Sequence, residues 1–480
     1  MFSSCEEDKP FDPDDLPTDP NYGTFWAQNL RNEKFYRVDA GKTPLVKGKY
    51  CDIWVQKGSN VDSQTAGKIA DEFDNTIYKK LVETFSYSSI KDKDGNLLAN
   101  NTIEYADYLS DNNGKLTILL LDIQDNYEPD VDESFCAGYF WAGNFFAYED
   151  DFQSNECDMI YVDTYPGLDY MEVVYSTMAH ELQHLMNFIT TILDRSIITG
   201  GVLKNIFPMD TWIDEGLSSA AEWVYTGKHL DSRIRDYNED ISGLIAKGNN
   251  FFVWDNRNDE HIYAVLDDYS TVYLFFQWLR LQAGSPEIYF DIITSSNENY
   301  KAVSNSINKY KPGNGFNNWG TLLKTWMAAN RINAETGIYG YMGDATLKKL
   351  DKKTVPSGTA GSLSLYPGEG VYSKATSSTM PTNTTYIQYA GLTAITLSDT
   401  VISSGDTLLT YNVNTSMKGP KIPGTVGASA NVDINIEDLP RSARRGPFPI
   451  GAGDILSRNG FKREFPSGFN GLPKGAFIRD

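Results

Sequence analysis

The chain has 480 residues, of which 41% are hydrophobic, and a formal net charge of −22 at pH 7. This length exceeds one compact core, so about two to four domains are expected. The negative charge argues against nucleic acid as a partner, because a phosphate backbone would be repelled, and against direct adsorption to anionic lipid. The most apolar run, Leu116–Leu121, is too short to span a bilayer.

Residues 1–21 predict a lipoprotein-like tether. The segment FSSC, which ends at Cys5, resembles the end of a bacterial lipobox, whose cysteine is lipidated after signal cleavage. The acidic, proline-rich residues 6–21 cannot form a core. Because the charged and apolar parts of a signal peptide are missing upstream, the given start is expected to be truncated or misassigned. We expect an extracytoplasmic protein that reaches a membrane only through Cys5; the alternative is a cytoplasmic protein with a disordered tail.

Residues 22–167 are predicted to form a mainly β part. The exception is 64–85, whose apolar residues recur at helical spacing, with Ser63 as the N-cap. The continuous apolar run 115–123 is typical of a central strand, buried on both faces. Further strands are predicted within 22–58 and at 135–146 and 158–163.

Three cysteines follow Cys5 in the sequence, namely Cys51, Cys136 and Cys157. Because three is an odd number, at most one disulfide can form among them. Cys136 with Cys157 is the favoured pair. Neither a CxxC spacing nor a Cys/His nucleophile pattern is present.

Residues 171–188 carry the motif H-E-x-x-H, formed by His180, Glu181 and His184. No Pro or Gly interrupts this stretch, and its apolar residues recur at helical spacing, so one buried helix is predicted. Residues four apart share a helix face, so both imidazoles point the same way, as two ligands of one ion must. Glu181 is offset by about 100°, close enough to reach a water on that ion. Zinc favours such ligands; the alternative is a chance motif on an ordinary helix.

A second helix is predicted at 210–225, and it offers a third ligand. The chain between His184 and this helix is long enough for an antiparallel return, so Glu215 can face the two imidazoles. Asp214 is the local competitor, but it points about 100° away from Glu215, and only one of them can face the ion. One stripe of this helix holds Trp212, Glu215, Ser219 and Glu222.

The later part of the chain divides by composition. A helix is predicted at 269–283, ended by Gly284 and Pro286, and another at 319–332 closes a helical part over 168–345. Beyond this part Ser, Thr and Gly rise, and short alternating runs predict a small antiparallel β domain at 350–417. Residues 418–480 form a Gly/Pro-rich, locally basic tail, expected to be poorly ordered or docked on the acidic body.

The segments HELQHLMNF and WIDEGLSSAAE together resemble the gluzincin metallopeptidases, and within them the hyicolysin-like bacterial enzymes, which pair HELQH-x-x-NF with W-L-N-E-G-L. The resemblance covers at most the catalytic unit. It implies an α+β fold with an N-terminal mixed sheet, an active-site helix and a helical C-terminal subdomain, here followed by the small all-β domain. It also implies that His180, His184 and Glu215 bind zinc and that Glu181 is the general base.

Two positions depart from that pattern. Asp214 stands where the family usually has Asn. Ser219 stands where thermolysin-like enzymes have an Asp that supports a zinc-bound His, so that role must pass to another residue or to water. The resemblance further implies that a strand edge before the active helix, at 135–146 or 158–163, holds the substrate as an added strand.

The segment after the ligands resembles one in related aminopeptidases that opens with a Tyr assisting the transition state. Tyr269 is the match and Tyr273 the runner-up, unless both are core residues with satisfied hydroxyls. His229 and His261 are the remaining imidazoles. Nothing in the sequence marks either for this role.

The predicted function is zinc-dependent hydrolysis of protein or peptide substrates. Glu181 takes a proton from the attacking water and delivers it to the leaving amine. The G-x-M-E-N segment of the family's aminopeptidases is absent from this sequence, so an endopeptidase is favoured over an aminopeptidase. The alternative from another class is an inactive, peptidase-fold adhesin, which would be expected to lose the base or a ligand.

Overall fold

In the computed structural model, a mixed sheet dominates the chain up to residue 163 and packed helices make up most of residues 171–332. The structure describes residues 23–32, 34–85, 115–125, 127–129, 134–145, 153–195, 197–199, 202–205, 208–247, 251 and 264–353, and the backbone of the strands named below between 364 and 479. Mixed α and β elements agree with the predicted α+β class.

The N-terminal elements are β1 (Thr24–Asn29), β2 (Lys34–Asp39), β3 (Val46–Lys47), β4 (Cys51–Val55), α1 (Ser63–Glu72), α2 (Tyr78–Phe85), β5 (Leu116–Leu121), β6 (Ser134–Phe140) and β7 (Met159–Asp163). The central elements are α3 (Met171–Arg195), β8 (Ile197–Thr199), β9 (Val202–Asn205), α4 (Thr211–Thr226), α5 (Asp231–Glu239), α6 (Ala264–Ala283), α7 (Glu287–Ile293), α8 (Tyr300–Tyr310) and α9 (Trp319–Ile332). The remaining strands are β10 (Ser364–Leu365), β11 (Gly370–Lys374), β12 (Thr384–Tyr389), β13 (Ala394–Ser398), β14 (Leu409–Tyr411), β15 (Ser416–Met417) and β16 (Lys474–Arg479).

The main sheet has the strand order β16-β6-β7-β5-β4-β3. Strands β4, β5 and β7 are parallel, whereas β3, β6 and β16 run antiparallel to their neighbours. All six residues of β5 are buried, because a strand with parallel neighbours on both sides is covered on both faces. The predicted central strand is therefore confirmed.

Helices α1 and α2 are joined by a π-helical segment, Phe73–Ile77, and bury the predicted apolar face. The predicted N-cap is wrong by one residue. Asp62, not Ser63, caps α1, and its carboxylate accepts a hydrogen bond from the Thr65 amide. Both residue types suit the cap, and only the backbone decides between them, since the cap residue must be extended.

Helix α3 connects the two halves of the molecule. It is longer than predicted, contacts β6 and β7 on one side, and packs against α4 on the other. Within the ranges given above, no helix combines the length and apolarity needed to cross a bilayer.

The helical half is centred on aromatic side chains. The ring of Trp212 lies 5.5 Å from that of Phe251 and 5.4 Å from that of Trp319. The predicted helices over 269–283 and 319–332 are confirmed, although α6 begins at Ala264. Sequence reasoning missed α5, α7 and α8. Two of these helices have fewer than ten residues, too short for a clear period.

The C-terminal strands form separate small sheets as well as one edge of the main sheet. Strands β11 to β14 make a four-stranded antiparallel sheet, and β10 pairs with β15. The strand prediction for this region is thus confirmed, whereas its separation as a domain of 350–417 stays a prediction. Within the tail 418–480, β16 docks on β6.

The predicted disulfide is wrong. Cys51, Cys136 and Cys157 are all buried and none is in a disulfide. Strands β6 and β7 pair with Phe140 opposite Ile160, so Cys136 and Cys157 lie toward opposite ends of the strand pair. That separation exceeds the roughly 7 Å between Cα atoms that a disulfide can span. The Cys136 thiol instead donates to the carbonyl of Gly138, at 3.2 Å.

We predict that Gly216→Ala destabilises the fold. A Cβ at Gly216 would lie 2.2 Å from Cε2 of Phe276, at the contact between α4 and α6. Overpacking of this kind should lower the free energy of unfolding by about 1–3 kcal/mol. Urea denaturation measures the change.

Gly67, within α1, is the matched control, because nothing lies within 4 Å of an added Cβ there. Gly67→Ala should raise the free energy of unfolding by about 0.5–1 kcal/mol. Equal effects of the two substitutions would contradict the close approach of α4 and α6.

Candidate metal centre

Two histidines of α3 and one glutamate of α4 meet at the contact between these helices. His180 and His184 are one helical turn apart, with ring centroids 4.8 Å from each other. The Nε2 atoms of His180 and His184 lie 3.3 Å and 3.4 Å from Oε2 of Glu215. All three residues are buried. The geometry thus brings together the three residues that the sequence predicted.

This donor set fits a metal ion. The three side chains can each offer one ligand atom, and the atoms lie within 4.8 Å of one another. Among the described residues, neither Nε2 atom nor Glu215 Oε2 has a hydrogen-bond partner, which is costly for buried polar atoms unless an ion uses them. For tetrahedral zinc with bonds of about 2.0–2.1 Å, ligand atoms would be roughly 3.3 Å apart.

The outer nitrogen of His180 contacts a carboxylate. Its Nδ1 lies 2.9 Å from Oε1 of Glu222, and Nη2 of Arg233 lies 3.7 Å from that same oxygen. Glu222, two turns after Glu215 on the same stripe of α4, is thus the residue placed to support His180 where the sequence has Ser219 in place of the family's Asp. Such a partner fixes the orientation and tautomer of a ligand imidazole.

The outer nitrogen of His184 has two partners from α4. Its Nδ1 lies 3.0 Å from Oδ1 of Asp214 and 3.0 Å from Oγ of Ser218. Nδ2 of Asn187 donates to the same oxygen of Asp214, at 2.6 Å. Asp214 and Glu215 thus contact different nitrogens of the His184 ring. Asp214 supports the imidazole, and Glu215 is placed to share an ion with it.

The electrostatics of the centre favour a cation. Burial opposes protonation of His184, but the carboxylates of Asp214 and Glu215 raise its pKa to about 9. Burial likewise opposes protonation of His180, but Glu215 and Glu222 raise its pKa. Although burial disfavours the charged carboxylate, the two imidazoles lower the pKa of Glu215 to about 2. The carboxylates therefore stabilise positive charge between them, and a divalent cation supplies such charge.

Glu181 is fully buried beside β6. A Cβ at Gly138 would lie 2.6 Å from Cγ2 of Thr177 and 3.6 Å from Cγ of Glu181. Glycine is therefore required where the backbone of β6 crosses α3. The side chain of the predicted base thus lies where α3 borders β6, while the two histidines on either side of it in sequence contact α4.

The structure separates the candidates for the assisting group. The hydroxyl of Tyr273 lies 2.8 Å from Nδ1 of His229 and accepts from the amide of Leu230. Nε2 of His229 lies 3.0 Å from Oδ2 of Asp344. These contacts join α6 to the connection between α4 and α5 and to the segment after α9, so Tyr273 and His229 have structural partners. His261 lies outside the described residues.

Tyr269 lies beside the centre. Its ring centroid is 6.2 Å from that of His180. The guanidinium carbon of Arg233 lies 4.6 Å from the centroid of the same ring. Arg233 therefore connects Tyr269 to Glu222. Sequence reasoning missed Arg233 because α5 carries no motif. It did place Glu222 on the same helix stripe as Glu215, and this was the signal that could have identified Glu222.

Comparison with known proteins gives an independent result. No family profile matches the chain. The neutral metalloprotease ShpI of Staphylococcus hyicus is 31% identical to it over 339 residues, which cover 69% of this chain and 67% of that enzyme. Similarity over such a span reaches far beyond the two motif segments. The chain therefore belongs to the same metallopeptidase family as this enzyme, in agreement with its buried pair of histidines and glutamate.

Proposed function

We propose that the protein is a zinc-dependent endopeptidase of the hyicolysin-like gluzincin type, acting on protein or peptide substrates outside the cytoplasm. The observation that carries this proposal is the convergence of His180, His184 and Glu215, with Glu181 on the same helix. The family relationship supports the reaction class. The proposed anchor at Cys5 lies outside the described residues.

Zinc is the proposed ion because two imidazoles and one carboxylate are its common catalytic donor set. When bound, it would lower the pKa of a water ligand and polarise a substrate carbonyl. Asp214 and Glu222 contact the outer nitrogens of the histidines, so the two Nε2 atoms are the ones that would hold the ion.

Glu181 is the proposed general base. It lies one residue from His180 and about 100° around the helix, so it reaches the same space without competing as a ligand. Its burial against β6 shields the carboxylate from bulk water. In this role it takes a proton from the attacking water and returns it to the leaving amine.

Tyr269 is the proposed donor to the oxyanion that develops on the substrate carbonyl. The ring stands next to His180 and is held by Arg233. Tyr273, four residues later on α6, is supported less well, because its hydroxyl contacts His229.

Two alternatives are weighed against the endopeptidase. An inactive binding protein would have no need of Glu181, yet the base and all three candidate ligands are present. An aminopeptidase needs a group that captures a free amino terminus, and its family segment G-x-M-E-N is absent from the sequence. Hydrolysis of a peptide blocked at both ends separates these alternatives from the proposal.

The first functional prediction concerns Glu181→Gln, which keeps the size of the side chain and removes the base. Metal content should stay near that of the unaltered protein, while cleavage of a doubly blocked peptide falls by about 10²–10⁴-fold. A chelator should abolish activity of the unaltered protein. Metal analysis and peptide kinetics are measured on the same samples.

Retained peptidase activity in Glu181→Gln would refute this mechanism. Activity that persists after complete metal removal would refute the metallopeptidase itself. Glu83→Gln on the exposed side of α2 is the matched control and should match the unaltered protein.

Glu215→Ala and Glu222→Gln separate a ligand from its support. Glu215→Ala leaves two imidazoles, so metal affinity should fall sharply and added zinc should restore only part of the activity. Glu222→Gln retains an oxygen near His180 but loses the charge, so affinity should fall by about 10–100-fold. Competition with a chromogenic chelator measures the metal affinity of both variants. If Asp214→Ala lowers metal affinity more than Glu215→Ala does, Asp214 is the ligand and Glu215 is not.

Tyr269→Phe tests the oxyanion donor. Deleting only the hydroxyl should leave metal content and folding normal, and kcat should fall by about 10²–10³-fold with little change in KM. Tyr273→Phe is the matched control. It should lower stability, through the lost contact with His229, and leave kcat unchanged. If Tyr273→Phe lowers kcat and Tyr269→Phe does not, the oxyanion donor is Tyr273.

A further inference from the structure

Strand β16 occupies the outer edge of the main sheet. Without it, β6 would be the last strand on that side. The two strands run antiparallel, with Lys474 opposite Phe140 and Arg479 opposite Ser134, and the register shifts between Ala476 and Phe477. Of the strands named above, β6 alone pairs with β16.

This edge passes the candidate catalytic base. Ala476 pairs with Gly138, the residue whose missing side chain allows β6 to lie against Thr177 and Glu181. Cα atoms of β16 also lie within 8 Å of Cα atoms of α3. The middle of β16 is therefore placed beside the helix turn that carries the proposed base.

An extended peptide that binds to a sheet edge uses the main-chain groups of that edge. The groups of β6 that would receive such a peptide already pair with β16. A substrate strand and β16 therefore cannot occupy β6 together. Of the two strand edges considered from the sequence, only β6 can offer this position, because β7 lies between β5 and β6.

The long chain segment between β6 and β16 allows β16 to bind to β6 and to detach from it. More than three hundred residues separate β6 from β16. The entropic cost of closing a loop rises only slowly with its length, so this separation does not prevent the two strands from pairing. Detachment of an outermost strand leaves the order of β6, β7, β5, β4 and β3 intact. The segment carries Lys474 and Arg479, whereas the chain as a whole has a net charge of −22, so attraction favours docking.

We propose, on the basis of the proposed peptidase function, that Lys474–Arg479 is a self-inhibitory strand. It occupies the substrate position on β6 and must detach before a peptide can be cleaved. A tethered competitor of this kind acts at an effective concentration in the millimolar range, so it should raise the apparent KM and leave kcat unchanged.

Phe477→Cys tests this proposal in the full chain, because Phe477 is directly opposite Cys136. Opposed residues of antiparallel strands have Cα atoms about 4.5–5.5 Å apart, within the range of a disulfide. Oxidised glutathione should link the two cysteines, as read by peptide mapping, and peptide cleavage should be lost. A phosphine reductant should restore it. Phe477→Ser, which cannot form the link, should be insensitive to both reagents.

The outcomes separate placement, inhibition and function. If Cys136 does not link to the new cysteine, β16 is not on β6 and the proposal is wrong. If the link forms and cleavage continues, the strand is placed correctly but does not inhibit. If reduced Phe477→Cys and Phe477→Ser both fail to cleave any peptide, the proposed function fails, and the inhibitory role with it.

Deletion of residues 474–480 gives a second, independent measurement. The shortened protein should show a lower KM than the full chain, by a factor of one plus the ratio of effective concentration to inhibition constant. This factor is about tenfold for an effective concentration of about 1 mM and an inhibition constant of about 0.1 mM. A synthetic KGAFIRD peptide should then inhibit it competitively, and a scrambled peptide should not. An unchanged KM together with no inhibition by the peptide would overturn the proposal.

Discussion

The contact between α3 and α4 is the interaction on which the site depends. It removes two imidazoles and three carboxylates from water at once, an arrangement that is stable only if each charge finds a partner. His184 lies between Asp214 and Glu215, and His180 between Glu222 and Glu215. Glu215 is the one group shared by both histidines. The helices therefore cannot shift without separating buried charges.

Helix α3 also divides the chemistry between its faces. Its histidines face α4, and Glu181 lies toward β6. The proposed base and the edge of β6 thus lie on the sheet side, and the candidate metal ligands on the helical side. The long continuous helix holds both sets in one rigid frame, which suits a reaction that needs fixed geometry between base and ion.

The errors of sequence reasoning have a common cause. The favoured pair of cysteines failed because the register of β6 and β7 places them at opposite ends of the strand pair. The sequence matched Tyr269 to the assisting Tyr and left Tyr273 as the runner-up, and only the contacts of Tyr269 with His180 and of Tyr273 with His229 place the two differently. Each of these results depends on contacts between segments far apart in the chain, which periodicity and spacing do not encode.

The sequence alone determined the central strand, the helix with H-E-x-x-H and the helix with Glu215, because apolar periodicity and motif spacing are local properties. It also placed the three candidate ligands, His180, His184 and Glu215, on two predicted helices, and the structure brings these residues together. The tertiary structure decided the rest. In the structure, Glu222 and Asp214 contact the outer nitrogens of the histidines. The hydroxyl of Tyr273 contacts His229, and β16 pairs with the edge of β6. These decisions required the packing of distant elements, since the direction of a buried polar side chain is set by the partner that satisfies it.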